Sequence, residues 1–183
     1  DAFAAIVSVG SPVDFGSPDP LLTVAERAIA PGTMARRVPS PAVGRAVSGM
    51  NNLPMHADDL LWSESNMSPE AEAMLLETVA SPMSRQELVE LRQVLRAGEL
   101  PAAASLPELT TPLLVIAGRA DRIAPPDRVR PMMEQAGSAE KVYFLAGKVN
   151  GLAHDYGHLD LVIGDAAAEE IYPRIVGWFE GRW

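Results

Sequence analysis

The sequence predicts an α/β fold in which a parallel sheet of three strands is interrupted, after its first strand, by a long helical insertion. Three observations carry that reading. Apolar runs bounded by Gly and Pro recur at residues 3–9, at 113–117 and from Lys141 onward, the pattern of strands covered on both faces. The second and third runs flank a helical stretch, and strand, helix, strand implies a right-handed parallel crossover. Between the first and second runs, Pro and Ser punctuate short amphipathic segments that hold six of the eight methionines, Met34, Met50, Met55, Met67, Met74 and Met83. The expected organisation is a core strand in 1–15, a helical insertion over 16–107, and the rest of the core over 108–183.

The opening run "AFAAIVSVG" is rich in β-branched residues and stops at the turn signal Gly10-Ser11-Pro12, so it reads as a strand inside a sheet. It lacks the basic flank and cleavage site of a signal peptide, and no apolar run in the chain approaches the roughly 20 residues that span a bilayer. Within the insertion, Ser68-Pro69-Glu70 sets a capping hydroxyl ahead of a Pro suited to the first helical position. "SRQE" at 84–87 fits a capping box, and the helix it opens runs through Leu88, Leu91 and Leu95 to a stop at Gly98. Residues 21–30 and 42–50 also read as helical. The methionines allow two readings, a pocket lining for an apolar acyl group or plain core packing.

Beyond the insertion, "TPLLVIAG" is the second strand, "PPDRVRPMMEQAG" a short helix interrupted or bent near Pro131, and "KVYFLAG" the third strand. A closing helix is expected from Asp165, as its N-cap, with Ile171, Ile175, Trp178 and Phe179 forming the face packed on the sheet.

The formal net charge of -9 argues against nucleic acid as a partner, because tracking phosphates needs clustered Lys and Arg. Cysteine is absent, which removes disulfides, thiolate nucleophiles and thiolate metal sites while leaving the compartment undecided.

Two stretches concentrate the chemistry. In "AGRADRIAPP", Asp121 lies just past a strand end, where reactive groups of parallel sheets collect, in a loop stiffened by Pro125 and Pro126. It either presents a carboxylate there or only caps the loop. "LAHDYGHLDLVIGD", one crossover later, holds two of the three histidines. An imidazole at the neighbouring strand end could bond Asp121 through one ring nitrogen and take a hydroxyl proton on the other, which makes His158 an oriented base. Singly, His158 also reads as a packing residue. His154 and His158, four apart with Asp155 and Asp160 nearby, invite a metal reading that Gly157 and the lack of a nearby third histidine disfavour. His56 reads as an ordinary polar residue.

On these residues the chain resembles the C-terminal half of an α/β-hydrolase. "TPLLVIAGRADRIAPP" is similar to that family's seventh strand and acid loop, which implies Asp121 as the triad acid. "YGHLDLVIGDAAAEEIYPRIVGWF" is similar to its histidine loop and last helix, which implies His158 as the base. Gly-His-Leu-Asp is similar to acid-lipase-type and polyester-processing members, which implies an ester substrate with an apolar acyl group. "AFAAIVSVGSPVDF" resembles the sixth strand, and 16–107 stands in the place of the helical cap. Some lipases carry the acid at the exit of that sixth strand, which keeps Asp14 as an alternative to Asp121.

The sequence departs from the family in having no Gly-x-Ser-x-Gly, hence no nucleophile elbow in this chain; Ser11, in Gly-Ser-Pro after a strand, cannot serve. The resemblance therefore implies a second chain or fragment carrying the N-terminal half of the core with the nucleophile, and neither a metal nor an organic cofactor. The rival readings are a non-catalytic binding or scaffold subunit, and acyl transfer, epoxide or haloalkane chemistry on the same fold.

Overall fold

The computed structural model describes residues 4–15, 61–78, 85–98 and 101–181. Its centre is a three-stranded parallel sheet of β1 (Ile6–Val9), β2 (Leu113–Gly118) and β3 (Lys141–Ala146), in the order β1-β2-β3. Ile6 pairs with Leu113 and Leu113 with Lys141, and the register continues to Val9–Ile116 and Gly118–Ala146. Every residue of β2 is buried, as expected of a strand with a neighbour on each edge and a layer on each face.

The two-residue period of β2 explains its unbroken apolar run. Leu114 and Ile116 face one side, with Phe144, Leu152, Tyr156, Leu161, Ile171 and Trp178. Leu113, Val115 and Ala117 face the other, against Val129 of α3 (Pro126–Gln135). Before β2 lie α1 (Pro69–Thr78), α2 (Arg85–Ala97) and a 3-10 segment at Pro101–Glu108 that the sequence reading did not foresee. Ser68 precedes α1 and accepts the Ala71 N–H on its hydroxyl at 3.3 Å, the cap expected from Ser-Pro-Glu. α2 closes at Gly98, whose φ of 77° is the left-handed conformation expected of a helix stop. Pro131 lies inside α3, which runs through it to Gln135.

The end of the chain departs from expectation. Instead of one helix from Asp165 there are two short ones, α5 (Ala167–Glu170) and α6 (Tyr172–Phe179), with a further short helix, α4 (Asp160–Ile163), ahead of them. Gly164 adopts extended backbone after α4, and Pro173 at the start of α6 has no N–H with which to continue α5. Asp165 caps nothing; its carboxylate accepts the Ser68 hydroxyl at 2.9 Å, tying the turn to the start of α1. Ile171 and Trp178 are buried and Ile175 packs beside them, while Phe179 is exposed, so three of the four expected contacts reach the sheet.

Of the methionines, Met132 and Met133 pack against α3's side of the core and Met74 stands in solvent. His56, Ser84 and the expected helices at 21–30 and 42–50 lie outside the described residues. Among the described residues no helix is long and apolar enough to cross a membrane.

Candidate active site

The site is assembled at the carboxyl ends of the strands. Asp121 follows β2 by three residues and is buried. Its Oδ1 accepts the backbone N–H of Ile123 at 2.9 Å and of Ala124 at 2.7 Å, which fixes the carboxylate and aims Oδ2 outward. His158, from the loop after β3, brings Nδ1 to 2.8 Å from that Oδ2. A carboxylate only accepts, so the Nδ1 N–H donates, and in the neutral imidazole the lone pair then lies on Nε2.

Among the described residues Nε2 has no hydrogen-bond partner, and 27% of the His158 side chain is open to solvent. The contact fixes the ring's direction and leaves its second nitrogen without a partner among the described residues. His158 bonds Asp121 and not Asp14, the alternative acid of the sequence reading.

Two glycines let the loops meet. At Gly118, the last residue of β2, an added Cβ would stand 2.5 Å from the Tyr156 carbonyl oxygen and 2.6 Å from that of Gly157, so only a residue without a side chain admits the histidine loop across the strand tip. The crossing is fixed by the Ala120 N–H donating to Tyr156 O at 2.8 Å. Gly10, just past β1, has φ of 56°, and a Cβ there would sit 3.3 Å from His158 Nδ1 and 3.5 Å from Asp121 Oδ2. The sequence reading took Gly10 only for a turn; it also walls the His158–Asp121 pair from the β1 side.

Below the loop, Tyr156 is fully buried and donates its hydroxyl to Glu170 at 2.7 Å. Burial first, then the bond to Glu170, pushes its phenol well above the ordinary value. Asp160, two residues after His158, is also buried and accepts the Asn66 side-chain amide at 3.1 Å and the Ser63 N–H at 3.3 Å. Desolvation raises its carboxyl above the usual carboxylate range, opposed by its bonds from Asn66, Gly157 and Ser63. Asn66 and Asp160 escaped the sequence reading as a pair because 94 positions separate them; the trace that was legible is the Asp of Gly-His-Leu-Asp.

His154 does not join His158. Its Nδ1 lies 3.1 Å from the Ser65 hydroxyl, and among the described residues no group of three His, Cys, Asp or Glu could hold a metal ion.

This architecture is that of the C-terminal portion of an α/β-hydrolase: three parallel strands, helices on both faces and a loop after each of the last two strands. The solved structures it resembles include an esterase from Exiguobacterium antarcticum, with 14% identity, TM-score 0.61, and coverage of 97% of this chain and 57% of that one. A bromoperoxidase from Bacillus anthracis matches at 13% identity and TM-score 0.57, covering 96% of this chain and 58% of that one. An alpha/beta hydrolase enzyme from a Medee basin deep-sea metagenome library matches at 15% identity and TM-score 0.53, covering 96% and 56%. The chain thus spans little more than half the length of each. No protein-family model matches the sequence, and no curated protein matches it either.

Proposed function

We propose that this chain supplies the acid and the base of a serine-type carboxylic-ester hydrolase. The observation that supports the reading is the 2.8 Å contact between Asp121 and His158 at the strand tips, with Nε2 left open. In the reaction, His158 Nε2 takes the proton of a serine hydroxyl as the oxygen attacks the ester carbonyl, then returns it to the departing alkoxide. Asp121 keeps Nδ1 protonated and stabilises the imidazolium that forms. Water, deprotonated in turn by His158, releases the acid from the acyl-enzyme. No step calls on a metal or organic cofactor.

The serine and its oxyanion donors come, in this reading, from a segment outside these 183 residues that carries the N-terminal half of the core and lies along the outer edge of β1. Two features support such a neighbour. Among the described residues β1 pairs only with β2, and its residues are half-exposed where those of β2 are buried. Ser8, on the same strand, buries a hydroxyl that has no partner among the described residues, a deficit of about 1–3 kcal/mol that an adjoining segment would relieve. An unpaired parallel edge is also prone to aggregation.

The substrate we assign is a small-molecule ester with an apolar acyl group, in keeping with the Gly-His-Leu-Asp sequence and the esterase among the structural neighbours. These residues, purified together with the segment that completes the core, should hydrolyse acyl esters, with His158→Ala lowering turnover by several orders of magnitude. Residues 1–183 produced alone as a monomer that unfolds cooperatively would overturn the need for a completing segment. Full turnover in the His158→Ala assembly would remove His158 from the chemistry and favour the scaffold reading.

A further inference from the structure

We propose that Asn66 and Asp160 are positioning residues for His158, through which the segment 61–66 grips the histidine loop on both sides of the imidazole and sets its direction. Their importance for catalysis rests on the function proposed above; the grip itself rests on geometry alone.

On the C-terminal side of His158, the Leu159 N–H donates to Leu61 O at 2.8 Å. On the N-terminal side, Gly157 packs so closely on the segment that an added Cβ would stand 2.8 Å from the Trp62 backbone and from Asp160 Oδ1, the oxygen that takes the Ser63 N–H at 3.3 Å. Oδ2 takes the Asn66 amide at 3.1 Å. Asn66 completes the circuit, its Oδ1 accepting the Ala166 N–H at 3.1 Å and its backbone carbonyl the Asp165 N–H at 3.0 Å.

Both side chains are buried, 1% and 0% exposed, so water cannot substitute for a lost partner. The donors and acceptors are also matched one to one. A carboxylate accepts from every side, whereas an amide must put its oxygen toward Ala166 and its nitrogen toward Asp160. Residues 156–160 thus make three hydrogen bonds to 61–66 and one backbone bond, from the Ala120 N–H to Tyr156 O, to the loop of Asp121. His158 is held between the two.

The network permits a charge-swap test. Asp160→Asn sets an amide against the Asn66 amide, donor against donor, and Asn66→Asp sets carboxylate against carboxylate. The double variant restores every pairing with one bond reversed: the new amide at 160 donates to the new carboxylate at 66, whose other oxygen still takes the Ala166 N–H. The readouts are the low-field proton resonance of His158 Nδ1, assigned by its loss in Asp121→Ala, and amide exchange at Ser63 and Leu159. Each single variant is expected to broaden or abolish the resonance and speed exchange by at least about tenfold, the equivalent of one lost hydrogen bond. The swap is expected to recover both. Leu114→Ala, which weakens the sheet without touching the network, should leave the resonance in place.

A resonance that survives both single changes, or a swap as impaired as its parents, would overturn the assignment. Neither readout needs turnover. Rescue by the swap in an assembly that hydrolyses no ester would sustain the grip and refute the hydrolase; His158-dependent hydrolysis with a resonance indifferent to all three variants would do the reverse.

Discussion

Replacing Asp121 by Asn separates the chemical role of this carboxylate from its structural one. The Asn oxygen can still accept the Ile123 and Ala124 N–H groups, now at 2.9 and 2.7 Å from Oδ1, so the loop keeps its shape and loses only the charge assistance of those bonds, about 1 kcal/mol each. The amide nitrogen then occupies the place of Oδ2, 2.8 Å from His158 Nδ1, and it donates. Nδ1 must become the acceptor and the ring proton moves to Nε2, the nitrogen that has to receive the serine proton. In the Ser-His-Asp template this wrong tautomer lowers kcat about 10⁴-fold, or about 5.5 kcal/mol of transition-state stabilisation. The assay is kcat for a short p-nitrophenyl ester in the completed assembly, paired with ¹⁵N chemical shifts of the imidazole in this chain. Turnover within about tenfold of the parent, with the proton already on Nε2, would refute the reasoning.

Other outcomes follow from the same geometry. Gly10→Ala puts a side chain at φ of 56° and 3.3 Å from His158 Nδ1; about 1–2 kcal/mol of stability should be lost in denaturant titration, and an unchanged midpoint would contradict the close approach. Tyr156→Phe removes the buried donor to Glu170 and should cost about 1–3 kcal/mol. Because folding raises the Tyr156 phenol, its contribution is complete below the ordinary value of about 10 and declines as pH rises above it; the Phe variant should lack that alkaline decline. Asp160 is likewise raised, so the folded state holds its proton more tightly, and its share of stability is greatest below the unfolded value of about 4 and falls as pH rises through the folded one. Subtracting the pH profile of Asp160→Asn from the parent's should expose this fall, and a flat difference would show that burial does not govern the group.

How far the sequence disclosed this arrangement depends on the range of the forces involved. β2 was legible because a strand between two neighbours and two layers must be apolar at every position, and Leu113 to Ala117 are. Asp121 and His158 were legible because each follows a strand end, and parallel topology brings such ends together without further information. The closing helix differs at its start: Ile175, Trp178 and Phe179 do belong to one helix with Ile171 at its N-cap, but Pro173, with no N–H to give, separates it from the short helix at Ala167–Glu170. Asp165 has the residue type of a cap but is used by Ser68, a partner about a hundred positions away. The Asn66–Asp160 bond is of the same kind, invisible to any pattern confined to neighbouring residues.

The most direct test of the central claim is to treat the active assembly with a fluorophosphonate that reacts with activated serines, and to locate the adduct by mass spectrometry in the parent and in His158→Ala. The account predicts an adduct on a serine outside these 183 residues, formed rapidly in the parent and not in the variant. An adduct on a serine of this chain, or labelling at the same rate without the imidazole, would contradict it.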